Sequence, residues 1–233
     1  MDTSVVNLGT AEHAFARGGN RLCFIDPADR NRCIKVLRPD RSPEVRRAEK
    51  KFPKSLKPLH VFDDNLSEQR VYDMIDRLTG EPAYRFIPRC FGFVDTNLGR
   101  GLCSELIRDE NGLISISLKQ YVWQHGVTDT LDSALRWFAS GWRALGMPSR
   151  NLLLHNIVVE QSATGIERLV VIDGLGWADF FPLAYYLPPL ARYKAARKIK
   201  SLYKAIDYLL YKKEHDIAYG YHGWLEEQKR TLS

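Results

Sequence analysis

Ser149-Arg150-Asn151-Leu152-Leu153-Leu154-His155-Asn156-Ile157-Val158-Val159 is followed, after a short polar insert, by Leu169-Val170-Val171-Ile172-Asp173-Gly174. Two β-branched runs flank a polar turn, which is the pattern of a hairpin. A hairpin brings the chain back to the end from which it left. Asn156 at the mouth of the first strand and Asp173 at the exit of the second therefore meet at one end. An amide oxygen and a carboxylate held together suit a hard cation such as Mg²⁺, which takes oxygen ligands and keeps several of its waters.

The rest of the chain sets the limits. With 233 residues it can bury one sizeable core, or two small lobes around a cleft. A hydrophobic content of 45% with 27% charged residues is that of an ordinary soluble globular protein. No run approaches the roughly 20 apolar residues of a membrane span, and Met1-Asp2-Thr3-Ser4-Val5 lacks the basic and apolar regions of a signal peptide, so a cytoplasmic location is expected. Cys23, Cys33, Cys90 and Cys103 have no Cys-x-x-Cys spacing and read as buried reduced thiols. His13, His60, His125, His155, His215 and His222 are scattered, with no Cys or carboxylate at ligand spacing, and no serine sits in a nucleophile elbow. Zinc chemistry and hydrolase triads therefore have little support. The net charge of +6 suits a phosphate-bearing ligand, an anionic membrane surface or nucleic acid, and does not choose among them.

From Ala14 to Leu37 the pattern is strand, glycine turn, strand, polar turn, strand. Gly18-Gly19 is a bland hairpin turn or a place where backbone amides approach a phosphate. Lys35, set among Cys33, Ile34, Val36 and Leu37, either snorkels to the surface or faces a cleft containing anions, because a buried lysine is costly unless paired. Ser42 to Leu59 is charged and carries three prolines, so it reads as a mobile connection or a broken helix. Beyond it Asp64 or Asn65 caps a helix with Leu66, Val71, Met74, Ile75 and Leu78 on its apolar face. Glu68, placed in the first turn, is either a helix-start carboxylate that suits the dipole or the partner of Lys35.

A hairpin over 87–94 and 101–107 exits through Arg108-Asp109-Glu110-Asn111-Gly112, an acidic stretch suited to a hinge between lobes. Helices are predicted over 118–123, over 130–145 with Leu131, Leu135, Phe138, Trp142 and Leu145 on one stripe, and over 190–213. The last carries Arg192, Lys194, Arg197, Lys198, Lys200 and Lys204 opposite its apolar face. These read as a solvated face, with binding to anionic lipid or nucleic acid as alternatives. Strands followed by helices indicate an α+β chain.

Arg17-Gly18-Gly19-Asn20-Arg21-Leu22-Cys23-Phe24-Ile25-Asp26-Pro27, continuing to Arg32-Cys33-Ile34-Lys35-Val36, resembles the opening signature of the YrbL-like proteins of the bacterial PhoP regulatory network. Ile87-Pro88-Arg89-Cys90-Phe91-Gly92, Gly101-Leu102 with Glu105-Leu106-Ile107, Asn156-Ile157 and Asp173-Gly174 extend the resemblance over about residues 10 to 200. That family is similar to protein kinases in overall fold. The resemblance implies a single kinase-like domain over 1–233, with a small antiparallel β-sheet N-lobe to about 108 and a mainly helical C-lobe from about 109.

It further implies that Gly18 and Gly19 cover the phosphates, Lys35 touches the α and β phosphates, and Glu68 is its helix partner. Glu105 to Arg108 would form the hinge, with Glu105 and Ile107 against the nucleotide. Asn156 and Asp173 would hold Mg²⁺, making ATP and Mg²⁺ the expected cofactors, bound between the lobes. The chain departs from protein kinases where His-Arg-Asp becomes Ser149-Arg150-Asn151, replacing the base by an amide that cannot accept a proton. Leu153 replaces the lysine expected two positions after it, and no usual substrate-docking segment follows Asp173-Gly174. A general base is worth about 10²- to 10⁴-fold, whereas phosphoryl transfer rests mostly on positioning and metal electrostatics. The expectation is slow phosphotransfer to an unknown protein or small-molecule acceptor. The alternative is a pseudokinase that binds partners without catalysis. An anionic membrane surface is a further candidate partner, ranked above nucleic acid.

Overall fold

The alternating N-terminal stretches form a five-stranded antiparallel sheet in the order β1–β2–β3–β5–β4. Its strands are β1 (Ala16–Arg17), β2 (Arg21–Asp26), β3 (Asp29–Leu37), β4 (Cys90–Thr96) and β5 (Gly99–Glu105). The computed structural model describes residues 5–177 and 183–231. These divide into two units. The first holds the chain up to Asp73 together with Arg89–Leu106, and the second holds Met74–Pro88 and the chain from Ile107 onward.

In the first unit β3 is the middle strand, paired with β2 on one side and β5 on the other. Four consecutive residues, Cys33 to Val36, are buried. Ile34 and Val36 join Leu8, Leu22, Phe24 and Cys103 in one core. Side-chain alternation sends Lys35 to the other face of the sheet. β5 lies this close to the core only because position 101 is glycine: a Cβ there would fall 2.5 Å from Ile34 Cγ2.

The proline-rich stretch after β3 is a broken helix. It runs through a 3₁₀ turn (Pro39–Arg41), α1 (Pro43–Ala48) and further 3₁₀ turns at Lys54–Leu56 and Leu59–Phe62. Then α2 (Asp64–Leu78) begins, its last residues belonging to the second unit. Its cap is neither Asp64 nor Asn65. Asp63 Oδ1 accepts the Leu66 N–H at 3.0 Å, and the Asp63 carbonyl accepts the Ser67 N–H at 3.0 Å. Glu68 consequently stands in the second turn, beyond the strongest part of the helix dipole.

The second unit contains α3 (Leu118–His125), α4 (Asp129–Leu145), the hairpin β6 (Ile157–Ser162) and β7 (Gly165–Val171), α5 (Pro188–Glu214) and α6 (Glu227–Arg230). Thr128 caps α4 by accepting the Leu131 N–H. Leu131, Leu135, Phe138 and Trp142 are buried along the predicted stripe, and Gly146 ends the helix at φ 63°. A left-handed residue at that place is the usual reason for a glycine. The α+β class, with an antiparallel sheet first and helices after, is that expected from the sequence. The four cysteines are free thiols. Among the described residues, no helix is long and apolar enough to cross a membrane. Residues 1–4, part of the stretch read for a signal peptide, lie outside the described residues. So do residues 178–182, in the stretch where no substrate-docking segment is expected.

Candidate functional site

In the first unit, Lys35 and Glu68 meet. Lys35 Nζ donates to Glu68 Oε1 at 2.8 Å, and both side chains are buried. This decides between the two readings of Glu68. The other carboxylate oxygen accepts from Arg21 Nη1, and Arg21 is buried as well. Arg21 Nη1 also donates to Asn65 Oδ1 at 3.3 Å, while Asn65 Nδ2 donates to the Lys35 carbonyl at 2.8 Å. The carboxylate is thus shared by two cations, and an amide ties β2, β3 and α2 around it.

The glycine turn is held from outside. Arg38 Nη1 donates to the carbonyls of Gly18 and Gly19 at 3.2 and 3.1 Å, and Asn20 Nδ2 donates to Asp64 Oδ2 at 2.8 Å. The Gly18 N–H donates to the Arg21 carbonyl at 2.8 Å, so this amide serves the turn rather than a phosphate. The fold itself does not require either glycine for space. A Cβ at Gly19 would meet nothing within 4 Å, and at Gly18 only the Arg21 oxygen at 3.4 Å. Glu105, at the end of β5, accepts the Arg89 N–H on Oε2 at 3.0 Å.

In the second unit the hairpin register sets Ile157 opposite Val171. The Ile172 N–H then donates to the Asn156 carbonyl at 2.8 Å, which places Asn156 beside the Asp173–Gly174 turn. A Cβ at Gly174 would lie 3.2 Å from Asn156 Nδ2 and 3.3 Å from the Asn151 carbonyl. The loop carrying Asn151 lies along the same turn: the Arg150 N–H donates to the Gly174 carbonyl at 2.8 Å, and Ser149 pairs with Leu175. Asn151, Asn156 and Asp173 are therefore brought together. Ile107 is buried with Val158 and Val170 beneath the hairpin. Asn156 and Asp173 supply two hard oxygen donors, a set that fits Mg²⁺, which takes few protein ligands and completes its shell with water and phosphate. Among the described residues there is no group of three or more His, Cys, Asp and Glu side chains that could hold a metal ion by themselves.

Two further features of this unit were not legible in the sequence. First, the basic face of α5 is not simply solvated. Lys198 Nζ donates to the Arg150 carbonyl and, at 3.1 Å, to Asn151 Oδ1, while Arg192 Nε donates to the Ala144 carbonyl at 3.1 Å near the end of α4. Second, the segment after α5 folds back onto α3. His222 stacks on His155 with ring centroids 5.4 Å apart, Lys119 Nζ donates to the His222 carbonyl at 2.8 Å, and Gln120 exchanges two hydrogen bonds with the Leu225 backbone at 2.8 and 3.1 Å. Burial chiefly, then His222 and Lys119, holds the His155 imidazole below its ordinary pKa, opposed by Asp173. Arg230 Nη2 reaches the buried Asp109 at 2.9 Å, within the acidic stretch that reads as a hinge.

Tyr219 lies in this returning segment, flanked by Trp123 and Trp224 and donating to the Gly223 carbonyl at 3.0 Å. Burial pushes its pKa up from 10.0 to about 12. The folded state therefore keeps a proton that the unfolded chain gives up near pH 10, and the associated stability is present below that pH and lost as pH rises towards 12. A titration of tyrosinate absorbance should show one group ionising near 12 that disappears in Tyr219→Phe. Absence of that late group would refute the burial argument.

A profile of the family described as PhoP regulatory network protein YrbL matches residues 7–207. No curated protein matches the chain. Among solved structures, the chain is similar to Rad53 1-466 in complex with AMP-PNP, at 14% identity and a TM-score of 0.49. That likeness covers 88% of this chain and 51% of the other, so this chain spans about half the length of the one it matches. With the family profile running through the glycine turn, Lys35, Glu68, Asn156 and Asp173, the chain belongs to the PhoP regulatory network protein YrbL family.

Proposed function

We propose that this chain is a kinase-like protein that binds Mg-ATP and passes the terminal phosphate slowly to a protein or small-molecule acceptor. The observation that carries the reading is the buried Lys35–Glu68 pair, 2.8 Å between Nζ and Oε1. A lysine on the third strand paired with a glutamate of the following long helix is the arrangement that protein kinases must have in place for phosphoryl transfer. Here the lysine stands on β3 and the glutamate on α2. Burying an ammonium is expensive, and a sequence that retains one has a use for its charge.

In this reading Lys35 binds the α and β phosphates, Glu68 orients it, and Arg21 and Asn65 hold Glu68 in place. Glu105 and the backbone of Ile107, whose side chain is buried with Val158 and Val170, contact the nucleotide base, and the Gly18–Gly19 turn covers the phosphates. Asn156 and Asp173 would hold Mg²⁺, which when bound neutralises charge on the phosphates. No proton acceptor stands at Asn151, so the acceptor hydroxyl is not deprotonated there, and the rate forgoes about 10²- to 10⁴-fold. The same observation favours the second reading, a pseudokinase, because the Asn151 amide oxygen is already engaged by Lys198. The reading of α5 as a surface for anionic membranes is weakened, since Arg192 and Lys198 are turned to oxygens of the protein itself.

The test is a thermal-shift titration with ATP, with and without Mg²⁺, on wild type, Lys35→Ala and Asp173→Asn. ATP at about 100 times its dissociation constant should add roughly 2.7 kcal/mol of stability. The rise should require Mg²⁺ and vanish in both variants. A rise that persists in both would overturn the assignment. A rise with no consumption of ATP over hours would select the pseudokinase.

A further inference from the structure

Leu153 leaves the loop after Asn151 without its expected lysine, yet the structure delivers an ammonium to the same loop from a distant helix. Lys198, on α5, donates to the Arg150 carbonyl and to Asn151 Oδ1. Because an ammonium only donates, the oxygen of the Asn151 amide must face Lys198, and its NH₂ group must face the other way. Both groups are therefore donors. A pair consisting of NH₃⁺ and NH₂ has nothing with which to take a proton, and everything needed to hold anionic oxygens.

We infer that Lys198 and Asn151 form a phosphate-holding pair that contacts the terminal phosphate of the nucleotide, with Lys198 taking the place left by Leu153. The inference rests on the Mg-ATP reading and names which phosphate this side of the site recognises. Asn151 lies on the loop that runs along the Asp173–Gly174 turn, within the same unit as the proposed metal ligands. Lys198's two described partners are uncharged oxygens and use two of its three N–H groups. Burial, followed by the neighbouring Arg197 and Lys194, pulls its pKa below the ordinary lysine value. An anion is the partner that would relieve this.

The test is isothermal titration of ATP and ADP, each with Mg²⁺, into wild type, Lys198→Met, Lys198→Arg and Asn151→Ala. Circular dichroism and melting confirm that each variant is folded. Lys198→Met should weaken ATP about tenfold while changing ADP less than about twofold, the size of one charge-assisted hydrogen bond. Asn151→Ala should move the ATP/ADP ratio in the same direction, and Lys198→Arg should recover most of the ATP affinity. Equal losses for both nucleotides, or none, would overturn the pair's role and leave Lys198 as a tie between α5 and the loop. Failure of wild type to bind either nucleotide removes the Mg-ATP reading, and the inference with it.

Discussion

Glu68→Leu should destabilise the protein by about 3–5 kcal/mol, the cost of removing one partner from a buried ionic cluster. The substitution takes the shared carboxylate from both Lys35 and Arg21, which are buried with it. Lys35→Met should cost much less, about 1–2 kcal/mol, because Glu68 keeps Arg21 and the thioether side chain fills the space of the lysine stem. The order of the two effects is the informative part. If urea midpoints at constant slope showed the lysine substitution to be the more damaging, the shared-carboxylate description of this cluster would be wrong. A chain selected for stability alone would do well with apolar residues here, so the retained charges support the functional reading of Lys35.

Phe86→Ala should cost about 3–5 kcal/mol, as for other buried aromatic truncations. Phe86 is buried against Trp137, Phe138 and Trp142 of α4, with ring centroids 4.9, 5.8 and 6.4 Å away. Gly141 on that helix tests the same contact from the other side. Alanine is the better helix former by about 1 kcal/mol, but a Cβ at Gly141 would sit 2.2 Å from Phe86 Cζ. Overpacking of this kind costs about 1–3 kcal/mol, so the clash should win and Gly141→Ala should destabilise wild type. In a Phe86→Ala background the clash is gone, and the same change should stabilise by roughly 1 kcal/mol. A double-mutant cycle measures the reversal of sign directly. A Gly141→Ala effect that is unchanged between the two backgrounds would show that the ring does not pack over this glycine.

The location of the proposed site residues was legible locally, because each breaks a pattern. Lys35 interrupts an apolar strand, and Asn156 and Asp173 stand at the two ends of β-branched runs. Strand alternation and hairpin connectivity then bring Asn156 to Asp173, as they do in the structure. The stripe of α4 was equally plain from its spacing. What periodicity reports, however, is which face is covered and not what covers it. Glu68 could have served the helix dipole or Lys35, and the cap at Asp63 together with the docking of α2 on β3 decided for Lys35. Arg21 read as part of the glycine turn and Asn65 as one of two possible caps, yet both are buried around that carboxylate.

The sequence by itself determined the α+β class, the order of its elements, the family and the positions of Lys35, Asn156 and Asp173, since strand and helix patterns and hairpin turns are local properties. Only the tertiary structure decided their partners. Lys198 is 47 residues from Asn151, and His222 is 67 from His155. Local sequence fixes neither contact, because the placement of α5 and of the segment after it depends on the packing of whole elements. Lys198 and its basic neighbours look alike in the sequence, and what distinguishes it is that the packing of α5 carries its ammonium to the carbonyl of Arg150 and the amide of Asn151.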